Sequence, residues 1–312
     1  MGNRLFVVIP CYNEEEVLPE TSRRISEKMR ALISAGKIAE NSRVVLVNDG
    51  SKDRTWEIIC GLHKKDSLFS GVNLSRNRGH QNALLAGLLT VKDLADMTIS
   101  MDADLQDDIN AIDEMVDKYL SGCDVVYGVR SSREKDTFFK RFTAESFYRL
   151  IRNLGGEVVF NHADYRLLSR RALDALSQYG ETNLFLRGII PMLGFKSDIV
   201  TYERGERFAG ESKYPLKKML AFAVEGITSL SAKPMRLILG LGAIMLLFGL
   251  ISLIISIAGG SSAAFNFMTF SIWAVGGLIL ISLGVVGEYV GKIYLETKKR
   301  PRFIVESFLH ED

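Results

Sequence analysis

From Leu237 through Gly287 the sequence contains no Asp, Glu, Lys, Arg or His. A run that long is far more than one core helix of a soluble domain requires, and it reads as membrane-crossing. Net charge is also scarce: an excess of +2 is too small to attract nucleic acid, which is therefore not expected as a partner. The three cysteines, Cys11, Cys60 and Cys123, are odd in number and share no metal-ligand spacing, so they read as buried thiols in a reducing compartment. No G-x-G-x-x-G follows the first apolar run and no G-x-x-x-x-G-K-[ST] occurs, which disfavours a dinucleotide fold and a P-loop NTPase. A nucleotide would have to be held by side chains and isolated turns. Leu5 to Ile9 is too short for a signal-peptide core, and Phe6 stands where a myristoylation signal needs Ser or Thr. The first domain is accordingly expected in the cytoplasm.

What is present is an alternation. Apolar, β-branched runs recur at Leu5 to Ile9, Val44 to Val47, Val72 to Leu74, Met97 to Met101 and Val125 to Val129, separated by segments long enough for helices. This predicts a mostly parallel α/β sheet. Val17, Ile25, Met29, Leu32 and Ile33 fall near helical spacing, with Gly36 as terminator. Asn13 with Glu16 offers a capping box, whereas Pro19 argues for a start near Leu18, since proline suits the first helical turn.

In such a sheet ligands bind beyond the carboxyl ends of the strands, where this chain reads PCYNE (Pro10 to Glu14), NDGSKDRT (Asn48 to Thr55), SRNRGHQN (Ser75 to Asn82) and DADLQD (Asp102 to Asp107). All four are polar and converge on one rim. Tyr12 offers a ring for stacking a base, and Asp49 either accepts from a base or ribose or closes a tight Asp-Gly turn. Arg76 and Arg78 read as solvated surface and His80 as a capping or packing histidine. Asp102 and Asp104, alternating at a strand end, point the same way and form a hard oxygen site suited to Mg²⁺ or Mn²⁺ beside substrate phosphates; the alternative is a plain acidic turn.

The order VVIPCYNEE, VLVNDGSKDRT, LSRNRGHQNALLAGL, DADLQD resembles family 2 glycosyltransferases of the GT-A fold over roughly the first 110 residues. With the later segments, the chain looks like the polyisoprenyl-phosphate glycosyltransferases, the group of dolichol-phosphate mannose synthases and bactoprenol glucosyltransferases. The resemblance implies nucleotide contacts from Pro10, Tyr12, Glu14, Asp49 and Asp102, and Asn13, Ser51, Gly79 and Gln81 on the same rim are expected to bind the nucleotide with them. It places Asp102, Asp104 and Gln106 around the divalent metal. The Gln-x-x-Arg-Trp motif of the processive synthases is absent; Trp56 and Trp273 lie elsewhere.

Later segments supply cations. Arg130, fixed by a strand end, is a candidate phosphate contact. Lys140 and Arg141 open a helical pattern that is either an amphipathic helix or a solvated basic face. In HADYRLLSRRAL the pattern of Asp164, Tyr165 and Arg166 matches the bactoprenol group. Asp164 is either half of a structural ion pair with Arg166 or lines the acceptor pocket as a base or an orienter of the metal site. Arg207, Gly210, Ser212 and Lys213 match the R-x-x-G-x-S-K pattern associated with the acceptor phosphate, a set to which Arg130 and Arg166 are added. Because a lipid monophosphate has a second pKa near ~6 and is mostly dianionic at neutral pH, electrostatics should matter more than a base. Asp104, Asp164 and Arg130 form the expected catalytic set.

The expected organisation is a GT-A domain over 1–214, an amphipathic juxtamembrane helix over 215–234, two membrane helices at about 237–257 and 270–287 joined by a turn through Gly259 to Ser262 and Asn266, and a basic tail over 292–312. Lys and Arg flank both spans while the turn carries none, so both ends are expected in the cytoplasm. Two spans are scant anchorage, and self-association is expected. The resulting expectation is inverting transfer of one sugar, from UDP-glucose first and UDP-GlcNAc or GDP-mannose next, to undecaprenyl or another polyisoprenyl phosphate.

Overall fold

The computed structural model describes residues 2–131, 162–181, 185–205 and 261–311, with scattered positions between 238 and 251. The five expected strands form as β1 (Leu5–Cys11), β2 (Arg43–Asn48), β3 (Phe69–Leu74), β4 (Met97–Ser100) and β5 (Val125–Arg130). Between them lie α1 (Leu18–Ser34), α2 (Thr55–Lys65), α3 (His80–Val91) and α4 (Ala111–Leu120). Then come β6 (His162–Ser169), α5 (Arg170–Ser177), α6 (Leu186–Met192), β7 (Ser197–Tyr202), α7 (Ser261–Thr297) and β8 (Val305–Leu309).

The sheet runs β7-β5-β6-β4-β1-β2-β3-β8. The neighbours among β1 to β4 are parallel, whereas β6 runs antiparallel between β4 and β5, and β8 antiparallel along β3. Strand alternation feeds two buried layers. Leu5, Val7 and Ile9 pack with Ile25, Met29 and Met115 on one side, while Phe6, Val8 and Val47 pack with Leu84, Leu88 and Leu173 on the other. The result is helix, sheet, helix, with the polar loops gathered at the carboxyl edge of the parallel strands.

α1 begins at Leu18 with Pro19 in its first turn. It ends as Gly36 requires: at φ 68 this residue donates to the Ile33 carbonyl while Lys37 donates to that of Leu32, a Schellman closure. The Asn13–Glu16 capping box does not form. Val17 is the N-cap without a side-chain bond, and Asn13 is instead committed to the neighbouring loop.

Two sequence boundaries need correction. Part of the expected basic tail is a strand: Val305–Leu309 covers the open edge of β3, and Phe303, Val305 and Phe308 pack against the second layer. Ser261, Ser262 and Asn266, expected in a turn, lie inside α7. The described residues before 216 and those from Pro301 onward form one compact unit, and those between belong to a second. In the second unit, Ala274–Thr297 is long and apolar enough to cross a membrane. Its Leu280, Ile281, Leu283 and Ile293 are exposed. Most of the expected first span, 237–257, lies outside the described residues, as does the juxtamembrane segment 215–234.

α3 can lie close on the sheet because Gly87 has no side chain: a Cβ there would stand 2.5 Å from Val8 Cγ1 and 2.6 Å from Val47 Cγ2. We predict that Gly87→Ala destabilises the protein by about 1–3 kcal/mol through overpacking. Gly61→Ala on α2, where nothing lies within 4 Å, should instead be neutral or stabilising. Thermal unfolding followed by circular dichroism compares them, and equal midpoints for the two variants would contradict the packing account.

Candidate active site

The rim is first a set of loops latched to one another. Asn13, at φ 56, donates its backbone N–H to Ser51 Oγ (3.0 Å) and accepts on Oδ1 from the Lys52 N–H (2.9 Å). Glu14 N–H donates to Thr55 Oγ1 and Glu15 N–H to Asp53 Oδ2, so the loops after β1 and β2 are held as one. The third loop is tied in by Asp49. Its side chain is buried, and its two oxygens accept from the backbone N–H groups of Arg78 (2.7 Å) and Gly79 (2.9 Å). Burial pushes the Asp49 carboxyl up from its ordinary value, and those two amides pull against the rise. Gly50, at φ 63, brings these loops into backbone contact, for a Cβ there would lie 2.5 Å from the Asn77 nitrogen.

Several residues expected to touch a nucleotide are therefore engaged with the protein itself. Asn13, Ser51 and Asp49 are latches, Gly79 at φ 85 caps α3, and Gln81 Oε1 accepts from the Leu186 N–H at the start of α6. Pro10 is buried within β1. Tyr12 is exposed at the rim, and Glu14 beside it is half-buried.

The acidic loop divides its carboxylates between two jobs. Asp107 is buried, accepts from the Tyr202 hydroxyl at 2.5 Å, and lies 3.7 Å from Arg130 Nη2. Burial and the nearby Asp102 push its carboxyl up to about 6. The end of β7 supports the same loop: Arg204 donates to Gln106 Oε1, and Gly205 N–H donates to the Gln106 carbonyl. Tyr165 braces it from below by donating to the Asp108 carbonyl.

Asp102 and Asp104 are differently placed. Asp104 Oδ1 caps its own loop by accepting from the Gln106 N–H. Asp102 Oδ1 is buried, has no hydrogen-bond partner among the described residues, and lies 3.4 Å from His80 Nε2. Burial raises the Asp102 carboxyl above its ordinary value, the adjacent Asp164 and Asp104 adding to the rise while His80 opposes it. No three His, Cys, Asp or Glu side chains among the described residues are grouped to hold a metal alone. Asp102, whose Oδ1 is buried without a hydrogen bond, and the neighbouring Asp104 nevertheless fit a divalent cation that takes its other ligands from phosphate and water.

Asp164 is not placed as a base. Its nearly buried carboxylate accepts from Arg166 Nη2 and from both Nε (3.2 Å) and Nη2 (3.0 Å) of Arg187. Burial alone would raise its pKa, but the two guanidiniums outweigh burial and hold the carboxyl far below the usual range. Such a group has little affinity for a proton. Arg166, expected at the acceptor phosphate, is 1% exposed and serves as Asp164's buried counter-ion. The structural ion pair of Asp164 with Arg166, one of the two alternatives the sequence offers, is the one that forms, and it follows from β6 being an interior strand, which turns alternate side chains into the layer under α3. Arg130 does sit at a strand end on the rim. Arg207, Ser212 and Lys213 lie outside the described residues.

The latch predicts a local effect. Asp49→Asn presents an amide N–H to groups that are themselves donors, so the Arg78 and Gly79 amides should lose about 1.5–3 kcal/mol of protection. Hydrogen exchange resolved at those residues measures this, and unchanged rates would contradict the role of Asp49.

The Glycosyl transferase family 2 profile matches residues 6–177. The glycosyltransferase YkoT of Bacillus subtilis (strain 168), itself described as uncharacterized, is 49% identical over 99% of this chain and 93% of the relative. The bactoprenol glucosyl transferase of Shigella phage SfX is 38% identical over 97% of this chain and 98% of the relative. Among solved structures, glucosyl-3-phosphoglycerate synthase from Mycobacterium tuberculosis aligns with a TM-score of 0.50 and 17% identity, covering 73% of this chain and 79% of that one, a likeness of fold. The acidic loop at the carboxyl edge of a mostly parallel sheet, the profile match and the full-length relatives agree: the chain belongs to glycosyl transferase family 2 and is a glycosyltransferase with a GT-A-like fold.

Proposed function

We propose that this glycosyltransferase moves one sugar, with inversion, from a nucleotide sugar to the phosphate of a polyisoprenol at the cytoplasmic face of a membrane. UDP-glucose is the first donor and undecaprenyl phosphate the first acceptor. The observation that carries the reading is Asp102 Oδ1, buried and without a hydrogen-bond partner among the described residues, beside Asp104 on the rim. The acceptor class is supported by the bactoprenol glucosyl transferase of Shigella phage SfX, similar over nearly its whole length, and by the apolar helix Ala274–Thr297.

In this reaction a phosphate oxygen of the lipid bonds to the anomeric carbon as the bond from that carbon to the nucleoside diphosphate breaks. Asp102, Asp104 and Gln106 would hold Mg²⁺ or Mn²⁺, which when bound offsets the charge left on the diphosphate. The protein's own share is position. The latched loops fix where Tyr12 meets a base, and Arg130, held at the end of β5 beside Asp107, faces phosphate. The nucleophile is already an anion, so no proton need be removed. Asp164, clamped by two guanidiniums, fits a site that requires no base.

The test is transfer in detergent by the full chain. Radiolabelled UDP-glucose, UDP-GlcNAc and GDP-mannose are each offered with undecaprenyl phosphate and Mn²⁺ or Mg²⁺. Label from UDP-glucose should become extractable into organic solvent, and chelation should abolish it. Asp104→Ala should lower the rate on the order of a hundredfold or more. Label from another donor would change the sugar and keep the class. Protein that binds nucleotide yet labels no lipid from any donor would refute the lipid-phosphate acceptor.

A further inference from the structure

Three elements remote in the chain each send one charged or titratable side chain to the space behind Asp102: His80 from the first turn of α3, Asp164 from β6, and Arg187 from the first turn of α6. Asp164 is the hub. Arg187 grips it through Nε and Nη2 in a two-pronged fork, and His80 Nε2 stands 3.8 Å from Asp164 Oδ2 and 3.4 Å from Asp102 Oδ1. The fork fixes the plane of the guanidinium as well as its charge.

The burial of these groups is uneven. Arg166 is fully buried on the same carboxylate as its counter-ion. Arg187 is a second guanidinium on that carboxylate and also acts on the Asp102 charge, and its side chain keeps 30% of its surface exposed, as His80 keeps 44%. The α6 start that carries Arg187 is itself tied to α3, because Gln81 accepts from the Leu186 N–H. An aimed, half-open guanidinium next to a carboxylate of the acidic loop is the chemistry that receives a phosphoryl oxygen.

We propose that Asp164 is a positioning residue whose ion pair aims Arg187, flanked by His80, at a phosphoryl group of a substrate bound beside Asp102. The proposal rests on the reading that both substrates carry phosphate, and it assigns a role to Arg187 that the sequence motifs do not. The phosphoryl group belongs either to the diphosphate of the donor or to the monophosphate of the lipid.

Direct binding separates these sources and does not depend on turnover. UDP with Mn²⁺, and undecaprenyl phosphate, are each titrated calorimetrically into the full chain in detergent, using wild type, Arg187→Gln, Arg187→Lys, Asp164→Asn and the double variant Asp164→Asn/Arg187→Gln. Arg187→Gln should weaken one of the two ligands roughly tenfold or more, with partial recovery in Arg187→Lys, which keeps the charge but not the fork. Weakened UDP places the donor diphosphate at Arg187; weakened lipid phosphate with UDP unchanged places the acceptor there. Asp164→Asn should weaken the same ligand, and the double variant should be no worse than Arg187→Gln. Should Asp164→Asn fail to fold, Arg187→Gln and Arg187→Lys alone decide. Folded Arg187→Gln that binds both ligands within twofold of wild type overturns the proposal, and so does a double variant whose losses multiply. Absence of sugar transfer by wild type, in the separate labelling assay, would refute the acceptor reading and leave this result standing.

Discussion

A carboxylate taken out of water has to be met by positive charge, and Asp164 shows how much of this fold that requirement organises. Its side chain is nearly buried in β6, a strand inserted antiparallel between two members of an otherwise parallel series. One guanidinium comes from the same strand and another from α6, with the α3 histidine within 4 Å. Removing Arg166, the fully buried partner, would leave charge stranded in a place water does not reach, whereas Arg187 and His80 keep part of their surface in solvent. The ion cluster thereby joins the later half of the sheet to the loop that follows β4, and it does so at the edge where a parallel sheet accepts ligands.

The other rim carboxylates follow the same logic with different partners. Asp49 is met by two backbone amides and Asp107 by a tyrosine hydroxyl and a nearby arginine. Each ties a loop to the strands behind it. Asp49, Asp107 and Asp164 are tied into the protein in this way, and on the same loop as Asp107 lies Asp102, which like Asp107 retains one buried oxygen with no hydrogen-bond partner among the described residues. The rim carboxylates are thus separated by the neighbours they are tied to rather than by residue type. The family assignment describes what the site transfers, and this separation describes how the site stays in place.

Much of the fold was legible because its signals are local. Apolar runs with polar ends located five strands, and Pro19 with Gly36 located both ends of α1. β6 does not read as a strand in the sequence because its inward face carries Asp164 and Arg166, whose charges cancel only in three dimensions. β8 was hidden in a basic stretch and is a strand because β3 has an edge to cover, which the local sequence does not encode. The acidic loop was legible from DADLQD, but the neighbours that set its properties were not. Arg187, Tyr202 and Arg204 stand outside any rim motif of the early strands, and the lone charge in Phe185 to Leu193 was the one available hint of Arg187. Asp49, Ser51 and Gln81 have the residue types of ligand contacts and the geometry of latches, a distinction that needs coordinates.

The claim on which the account turns is that Asp102 and Asp104 hold a divalent cation against the diphosphate of a nucleotide. Electron–nuclear double resonance on the full chain with Mn²⁺ and UDP tests it directly, through the coupling of the manganese spin to phosphorus. The account predicts a phosphorus coupling of directly bound phosphate in the wild type that disappears when both carboxylates are replaced by alanine. Manganese that shows the same coupling in that double variant, or none in wild type saturated with UDP, would contradict it.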